Sequence, residues 1–347
     1  MHPIKRRSLV SVMATIGSVA LLLMLCKAAH ADEVANASDE NGFSLGGYSS
    51  AGITLPRDGD AKAAINEISL ILRWENDSRF KFFSEIELED PLTWDEQNKL
   101  NTKESFVNIE RLYLDYNYSE KTNFRAGRFL TPAGRWNLLH AAPLVWTSTR
   151  PLATSRLFPI TTNGVMAFGA VPLKDSAFEY TIFVEALKDQ IDDDDEIKFK
   201  HVKGARFTFG QDLNFGLNLL SFTEKTASNP SYRMLGFDFL THYQDIEFLG
   251  EGFQRWDSDN KDGGSGAYLQ TAIPLSRLNN WSSLRNWYGI ARLEIFDRPD
   301  ERRQERWLLG ATWRIKPTQL LKLEFTGGSG DQPESPRGFL GSFAVLF

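Results

Sequence analysis

Hydrophobic and polar residues alternate along most of this chain. Over residues 65 to 76, Ile68, Leu70, Leu72 and Trp74 share one parity and Glu67, Ser69, Arg73 and Glu75 the other, with Ile71 the apolar exception. A strand sends successive side chains to opposite faces, so this segment reads as a ribbon with one apolar and one charged face. The next segment repeats it, with Phe80, Phe82, Ile86 and Leu88 set against Arg79, Lys81, Glu85, Glu87 and Glu89. A helical period of 3.6 would scatter these charges around the axis. The same template predicts strands near 43–55, 65–76, 79–90, 104–118, 121–129, 164–171, 176–187 and 199–209. Eight more follow near 214–224, 231–242, 244–256, 265–273, 286–297, 305–314, 319–328 and 338–347.

Sixteen is an even number, as a closed single-chain bacterial barrel requires, and the connections alternate in length as such a barrel demands. Asn76-Asp77-Ser78, Ser119-Glu120, Pro172 to Asp175, Gly210 to Leu213, Tyr243 and Lys316 to Thr318 are tight, whereas 56–64, 91–103, 130–163, 188–198 and 329–337 are long. Pro274 to Arg285 is a long connection on the tight side, with room for a short helix. A soluble β-sandwich would also show alternating strands. Two features favour a transmembrane barrel instead: the polar parity is charged on strand after strand, and Trp74, Tyr116, Tyr118, Trp256, Trp287, Trp307 and Trp313 fall near strand ends, where interfacial girdles lie.

The first residues fit export. Lys5, Arg6 and Arg7 precede an apolar run from Leu9 to Cys26 and a small-x-small site at Ala29-His30-Ala31, so residues 1–31 read as a cleaved signal peptide. The alternatives are an uncleaved anchor, since Ser8 to Cys26 is 19 residues, and a lipoprotein acylated at Cys26, although Leu25 stands where a small residue is expected. Residues 32–42 form a short polar lead and 43–347 the barrel, with no room for a plug domain. Cleavage removes four of the 39 basic residues and none of the 45 acidic ones, leaving 35 against 45 and a net charge of −10. That balance argues against a nucleic-acid partner. Cleavage also removes Cys26, the single cysteine, so neither disulfides nor thiolate metal sites are expected.

The longest connection, Leu130 to Asn163, carries Trp136, Leu138, Leu139, Leu144, Val145, Trp146, Leu157 and Phe158, too apolar for a disordered loop. Folding it into the barrel would bury those residues and narrow the pore. Its ionisable side chains are Arg135, His140, Arg150 and Arg156, with no Asp, Glu or Lys. Arginine lining a narrow, low-dielectric passage favours anions. Arg73, Arg111 and Arg125 fall on polar strand parities and are further candidates for the lumen. For both sets the competing role is structural: pairing with wall carboxylates such as Glu67, Glu85, Glu87, Asp115, Glu247, Glu251 and Glu294. The acidic run Asp192 to Glu196 lacks the glycine and spacing of a calcium loop and reads as a solvated loop. His140, His201 and His242 stand near no nucleophile-elbow or HExxH pattern, so neither an enzyme nor a cofactor is expected.

In the position of this loop the chain resembles the sixteen-stranded trimeric porins, whose third extracellular loop folds inward. The stretch Gly127-Arg128-Phe129-Leu130-Thr131-Pro132-Ala133-Gly134, returning at Asn163-Gly164-Val165-Met166-Ala167-Phe168-Gly169, is most similar to the phosphate-selective O/P-type porin superfamily. Ala133 departs from it, where that family often has an aromatic. The resemblance implies a homotrimeric channel in the Gram-negative outer membrane, among its lipid and lipopolysaccharide, passing small hydrophilic solutes or ions, with an anion or phosphate preference. It also implies that the final Phe347 is an address read by the barrel-assembly machinery. The alternative is a surface receptor or adhesin barrel with a closed lumen.

Overall fold

A computed structural model describes residues 42–174, 176–187, 197–210, 213–277, 282–299, 301–329 and 337–347. The signal peptide, most of the polar lead and the acidic run expected from the sequence lie outside the described residues. The strands are β1 (Phe43–Pro56), β2 (Lys62–Glu75), β3 (Phe80–Asp95), β4 (Lys99–Asn101), β5 (Phe106–Ser119), β6 (Thr122–Leu130), β7 (Thr161–Pro172), β8 (Ala177–Glu185) and β9 (Phe199–Phe209). They continue as β10 (Leu213–Glu224), β11 (Ser231–Tyr243), β12 (Ile246–Asp257), β13 (Asp262–Pro274), β14 (Trp287–Asp297), β15 (Gln304–Lys316), β16 (Gln319–Gly328) and β17 (Gly338–Leu346).

Sixteen of these make one closed antiparallel sheet. Each pairs with its neighbours in sequence, and β1 pairs with β17, from Tyr48 opposite Leu346 to Pro56 opposite Gly338. Closure removes the free edges that an open sheet would leave unsatisfied in lipid. The short β4 is outside the ring; it pairs with Thr93 to Asp95, where β3 runs on beyond the expected end at residue 90. The turn expected at Tyr243 is instead Gln244-Asp245, both at positive φ (49° and 66°), a two-residue hairpin whose twist matches its strands. The long connection on the tight side holds two single turns of 3-10 helix, Leu275–Arg277 and Ser282–Leu284.

The burial pattern inverts that of a soluble protein. On β2 and β3 the apolar parity is outside, with Ile68 at 40%, Leu70 at 48% and Ile86 at 43% exposure, while Ser69 and Glu85 are at 0%. Arg255, Arg292 and Lys322 are among the largest fully buried side chains of the molecule. Burying charge while exposing leucine is stable when the medium outside is hydrocarbon and the interior holds partners for the charges. Aromatic pairs mark the tight-turn rim: Phe43 with Trp74, Phe80 with Tyr116, Phe178 with Phe209, and Trp287 stacked on Trp313 at 5.4 Å. No helix among the described residues is long and apolar enough to cross a membrane.

This inversion can be measured. Leu293, on the outward face in the middle of β14, is 65% exposed. Leu293→Arg is expected to cost about 2–4 kcal/mol in reversible folding into lipid vesicles, where the same change at an ordinary water-facing site costs little. A variant as stable as the parent would mean that this face does not meet lipid.

Residues 131–160 turn into the barrel and carry two short helices, α1 (Trp136–Leu139) and α2 (Leu152–Arg156). The main apolar core lies between this loop and the wall. Leu152, Ala153, Leu157 and Phe158 of the loop pack with Phe183, Phe222, Met234, Phe253 and Phe296, inward-facing residues of β8 to β14. A smaller cluster joins Trp136 and Val145 to Tyr268 of β13.

Candidate functional site

The lumen is a ring of inward charges with one irregular loop docked inside it. Helices this short satisfy few of their own backbone groups, and unpaired buried N–H and C=O groups are costly. The wall supplies the partners. Glu251 on β12 accepts the Trp136 N–H at 2.7 Å and the Tyr268 hydroxyl at 2.6 Å. Glu294 on β14 accepts the Leu152 N–H at 2.9 Å, and Glu324 on β16 accepts the N–H groups of Ser148 and Thr149 and the Thr149 hydroxyl. Glu247 takes the Trp146 indole N–H at 2.8 Å.

Wall cations bind the loop carbonyls. Lys322 donates to Ala142 O at 2.6 Å, Arg292 to Thr149 O at 2.8 Å and Arg255 to Leu157 O at 3.3 Å. Two glycines allow the close approach. A Cβ on Gly134, which sits at φ 68°, would overlap the Glu251 carboxylate, and one on Gly266 of β13 would press on Ala153 at 2.8 Å. The loop needs no acids of its own, because its backbone donors are met by the carboxylates of β12, β14 and β16.

The arginines expected to line a basic constriction are largely matched. Arg135 lies 2.8 Å from Asp238 of β11, donates to Asn214 and is only 15% exposed. Burial lowers the Arg135 pKa from its ordinary value; Asp238 opposes this and the Arg206 charge adds to it. Arg150 stays within the loop, donating to Asn137 Oδ1 at 2.6 Å and Thr154 O at 2.9 Å with its guanidinium over Trp136. Arg156 pairs with Glu301 at 2.9 Å, and His140 Nε2 lies 3.5 Å from Glu110 of β5.

On the far wall Arg125 forks onto Asp115 at 2.7 and 2.9 Å, Arg111 binds Glu85, and Arg73 lies 5.4 Å from the Phe83 ring. Phe83 stacks on Tyr113 at 5.1 Å, and Arg111 and Arg125 cover these two rings, so the three wall arginines join one arginine–aromatic stack across β2 to β6. The structure thus brings Arg73, Arg111 and Arg125 together, but it separates Arg135, Arg150 and Arg156 onto different partners. Of the carboxylates named as their partners from the sequence, Glu247, Glu251 and Glu294 hold loop N–H groups instead.

Sequence reasoning missed the inward charges of the second half of the barrel: Arg206, Asp238, Arg255, Arg292, Lys322 and Glu324, each 6% exposed or less. The signal was present, since each sits on the polar parity of its strand. It also missed the docking surface, whose mark is an apolar residue on that polar parity, as with Phe296 two positions beyond Glu294.

No family model matches this chain. A protein of Aquifex aeolicus described only as uncharacterized is 33% identical over 138 residues, 39% of this chain and 30% of its own length, so the match spans about a third of that relative. Among solved structures the barrel is similar to the anion-selective porin of Comamonas acidovorans (TM-score 0.56, 11% identity, 88% of this chain and 98% of that one). It is also similar to the outer-membrane protein OmpT of Vibrio cholerae in its trimer form (0.59, 10%, 88% and 99%) and to Salmonella typhi OmpF in complex with daunomycin (0.58, 9%, 89% and 98%). At such identities the likeness is one of fold: the chain has the closed sixteen-strand barrel architecture of the outer-membrane porins.

Proposed function

We propose that this protein is an outer-membrane porin, a water-filled channel through which small hydrophilic solutes diffuse passively across the outer membrane of a Gram-negative bacterium. The observation that carries it is the asymmetric lumen. The loop is anchored mainly on β10 to β17, while the inward arginines of β2 to β6 stay open to water, Arg111 at 22% and Arg125 at 21% exposure. A barrel of sixteen strands is wide enough for an aqueous path beside such a loop. Purified protein added to a planar bilayer is expected to give stepwise conductance, and persistently silent bilayers with correctly folded protein would overturn the proposal.

One observation favours the closed-lumen receptor reading. Through Trp136 N–H on Glu251 and His140 on Glu110, the single turn α1 touches walls on opposite sides of the ring, β12 and β5. The same recording separates the two readings. The finer expectation, an anion or phosphate preference, had its warrant in a basic loop. With Arg135 and Arg156 neutralised by carboxylates, and Arg111 and Arg125 likewise, little of that warrant is left. Homotrimeric assembly is part of the proposal, supported by likeness to a porin with a trimer form. So are a cleaved export signal, a setting of lipid and lipopolysaccharide, and recognition of the exposed terminal Phe347 by the barrel-assembly machinery.

A further inference from the structure

We infer that the lumen is charged in two zones along its axis, acidic toward the long connections and basic toward the tight turns, so that ionic current passes more easily in one direction than in the other. The inference rests on the channel reading and gives that channel a polarity.

The strand register orders the inward side chains of the open wall, β2 to β6. From the long connections toward the tight turns, Glu67 lies opposite Glu89, Ser69 opposite Glu87, Ile71 opposite Glu85, Arg73 opposite Phe83 and Glu75 opposite Lys81. On β5, Asn108 continues the level of Glu87, Arg111 that of Glu85, Tyr113 that of Phe83 and Asp115 that of Lys81; Arg125 of β6 stands opposite Asp115. Two of these levels are neutral, because Arg111 binds Glu85 on one while Lys81 binds Glu75 and Arg125 binds Asp115 on the other. The charge that remains is separated along the strands.

Toward the long connections it is negative. Glu67 and Glu87 are hydrogen-bonded to each other, hold one proton between them and together carry one negative charge. Glu110, at the bulge between Ile109 and Arg111, adds a second; beside it are the Asn108 amide at 3.3 Å and His140 Nε2 at 3.5 Å. No lysine or arginine among the described residues lies within salt-bridge distance of Glu67, Glu87 or Glu110. Toward the tight turns the excess is positive. Arg73 is exposed to the lumen, 5.4 Å from the Phe83 ring. Across the lumen, Arg314 near the end of β15 lies 4.4 Å from the Trp146 ring and 5.8 Å from that of Tyr288. Neither arginine has a carboxylate within salt-bridge distance among the described residues. An aromatic face holds a guanidinium in place without cancelling its charge, as a carboxylate would.

The separation is long enough to matter. Glu67 and Arg73 lie six positions apart on β2, about 20 Å along the strand at roughly 3.3 Å per residue. The Debye length is about 10 Å at 0.1 M salt and about 3 Å at 1 M. At 0.1 M each zone therefore gathers its own counter-ions, cations in the acidic zone and anions in the basic one, and neither cancels the other. When the long-connection side is positive, cations enter through the acidic zone and anions through the basic zone, so both accumulate inside the pore. The opposite polarity draws both out, and the current falls.

The test is single-channel recording of the folded full chain in a planar bilayer at 0.1 M and 1 M KCl, pH 8. Orientation is read from a biotin attached at Asp259→Cys, an exposed position on the long-connection face, with streptavidin added to one chamber. At 0.1 M the current is expected to be roughly 1.5-fold larger with the long-connection side positive, and the asymmetry to fall away at 1 M. The isosteric triple variant Glu67→Gln, Glu87→Gln, Glu110→Gln should reduce the asymmetry and move the reversal potential in a salt gradient toward anions. Arg73→Gln with Arg314→Gln should also reduce it and move the reversal potential toward cations, which keeps the test open if the triple variant does not fold. Equal currents in the parent at 0.1 M, the reverse polarity, an asymmetry undiminished at 1 M, or reversal potentials that move the same way in both variants overturn the inference. Silent bilayers overturn the channel and this inference with it, whereas conduction with symmetric currents overturns this inference alone.

Discussion

Replacing Glu251, Glu294 and Glu324 together by Ala is expected to release the inward loop while the barrel stays closed. Each carboxylate is the acceptor for loop N–H groups: Trp136 on Glu251, Leu152 on Glu294, Ser148 and Thr149 on Glu324. A buried donor left without its partner costs about 1–3 kcal/mol. The three losses fall on one segment and will not add independently, because the first undocking relieves the others. Arg292, which lies 3.5 Å from Glu294, also loses its nearest counter-charge.

Against this stands the apolar cluster of Leu152, Leu157 and Phe158, which alone cannot satisfy the backbone of α1 or of residues 141–149. The ring itself is held by ladders closed from β1 to β17 and does not depend on these contacts. Two measurements check the outcome: single-channel conductance should rise, and trypsin should cut after Arg135, which is largely shielded in the parent. Gln at the same three positions keeps an acceptor oxygen and should retain most of the docking. Unchanged conductance and unchanged trypsin resistance in the Ala variant would mean that the apolar cluster holds the loop unaided.

The second large effect is expected at Asp238. Its carboxylate is fully buried between two guanidinium groups, with Arg206 Nη2 at 2.9 Å and Arg135 Nε at 2.8 Å, and it also accepts the Asn218 amide at 2.9 Å. Asp238→Asn leaves two cations facing each other with no counter-charge. Breaking a buried pair in this way typically costs about 3–5 kcal/mol, far more than the net value of the intact pair. The expected result is a lower temperature for the heat-induced mobility shift of the folded barrel. In protein that still folds, the reversal potential should also move toward anions. Adding Arg206→Met should recover part of the stability, since it removes one of the stranded charges. A single variant as heat-resistant as the parent would show that water reaches Asp238 and solvates the arginines.

Much of the ring was legible before any coordinates, because a strand's period of two writes its two environments directly into the sequence. Ile68, Leu70 and Ile86 face out and Ser69, Glu85 and Glu87 face in, as their parity requires. All sixteen ring strands fall where the alternation put them, most within three residues. The departures have local causes: β3 runs on because Thr93 to Asp95 finds a partner in the short β4, and the hairpin at Gln244-Asp245 needs two residues of positive φ. The inward turn of the 131–160 loop was also foreseeable, since Leu152, Leu157 and Phe158 had to be buried somewhere.

The sequence by itself determined the barrel, the sidedness of its strands and the segment that enters the lumen, because burial and alternation are local properties of the chain. Only the tertiary structure decided what the charges do. Arg135 meets Asp238 across 103 positions of sequence and Trp136 meets Glu251 across 115, pairings fixed by where a loop of thirty residues lands inside a closed ring. An arginine on a polar parity looks the same whether a carboxylate neutralises it or water does. That difference is set by distances of a few ångströms between distant segments.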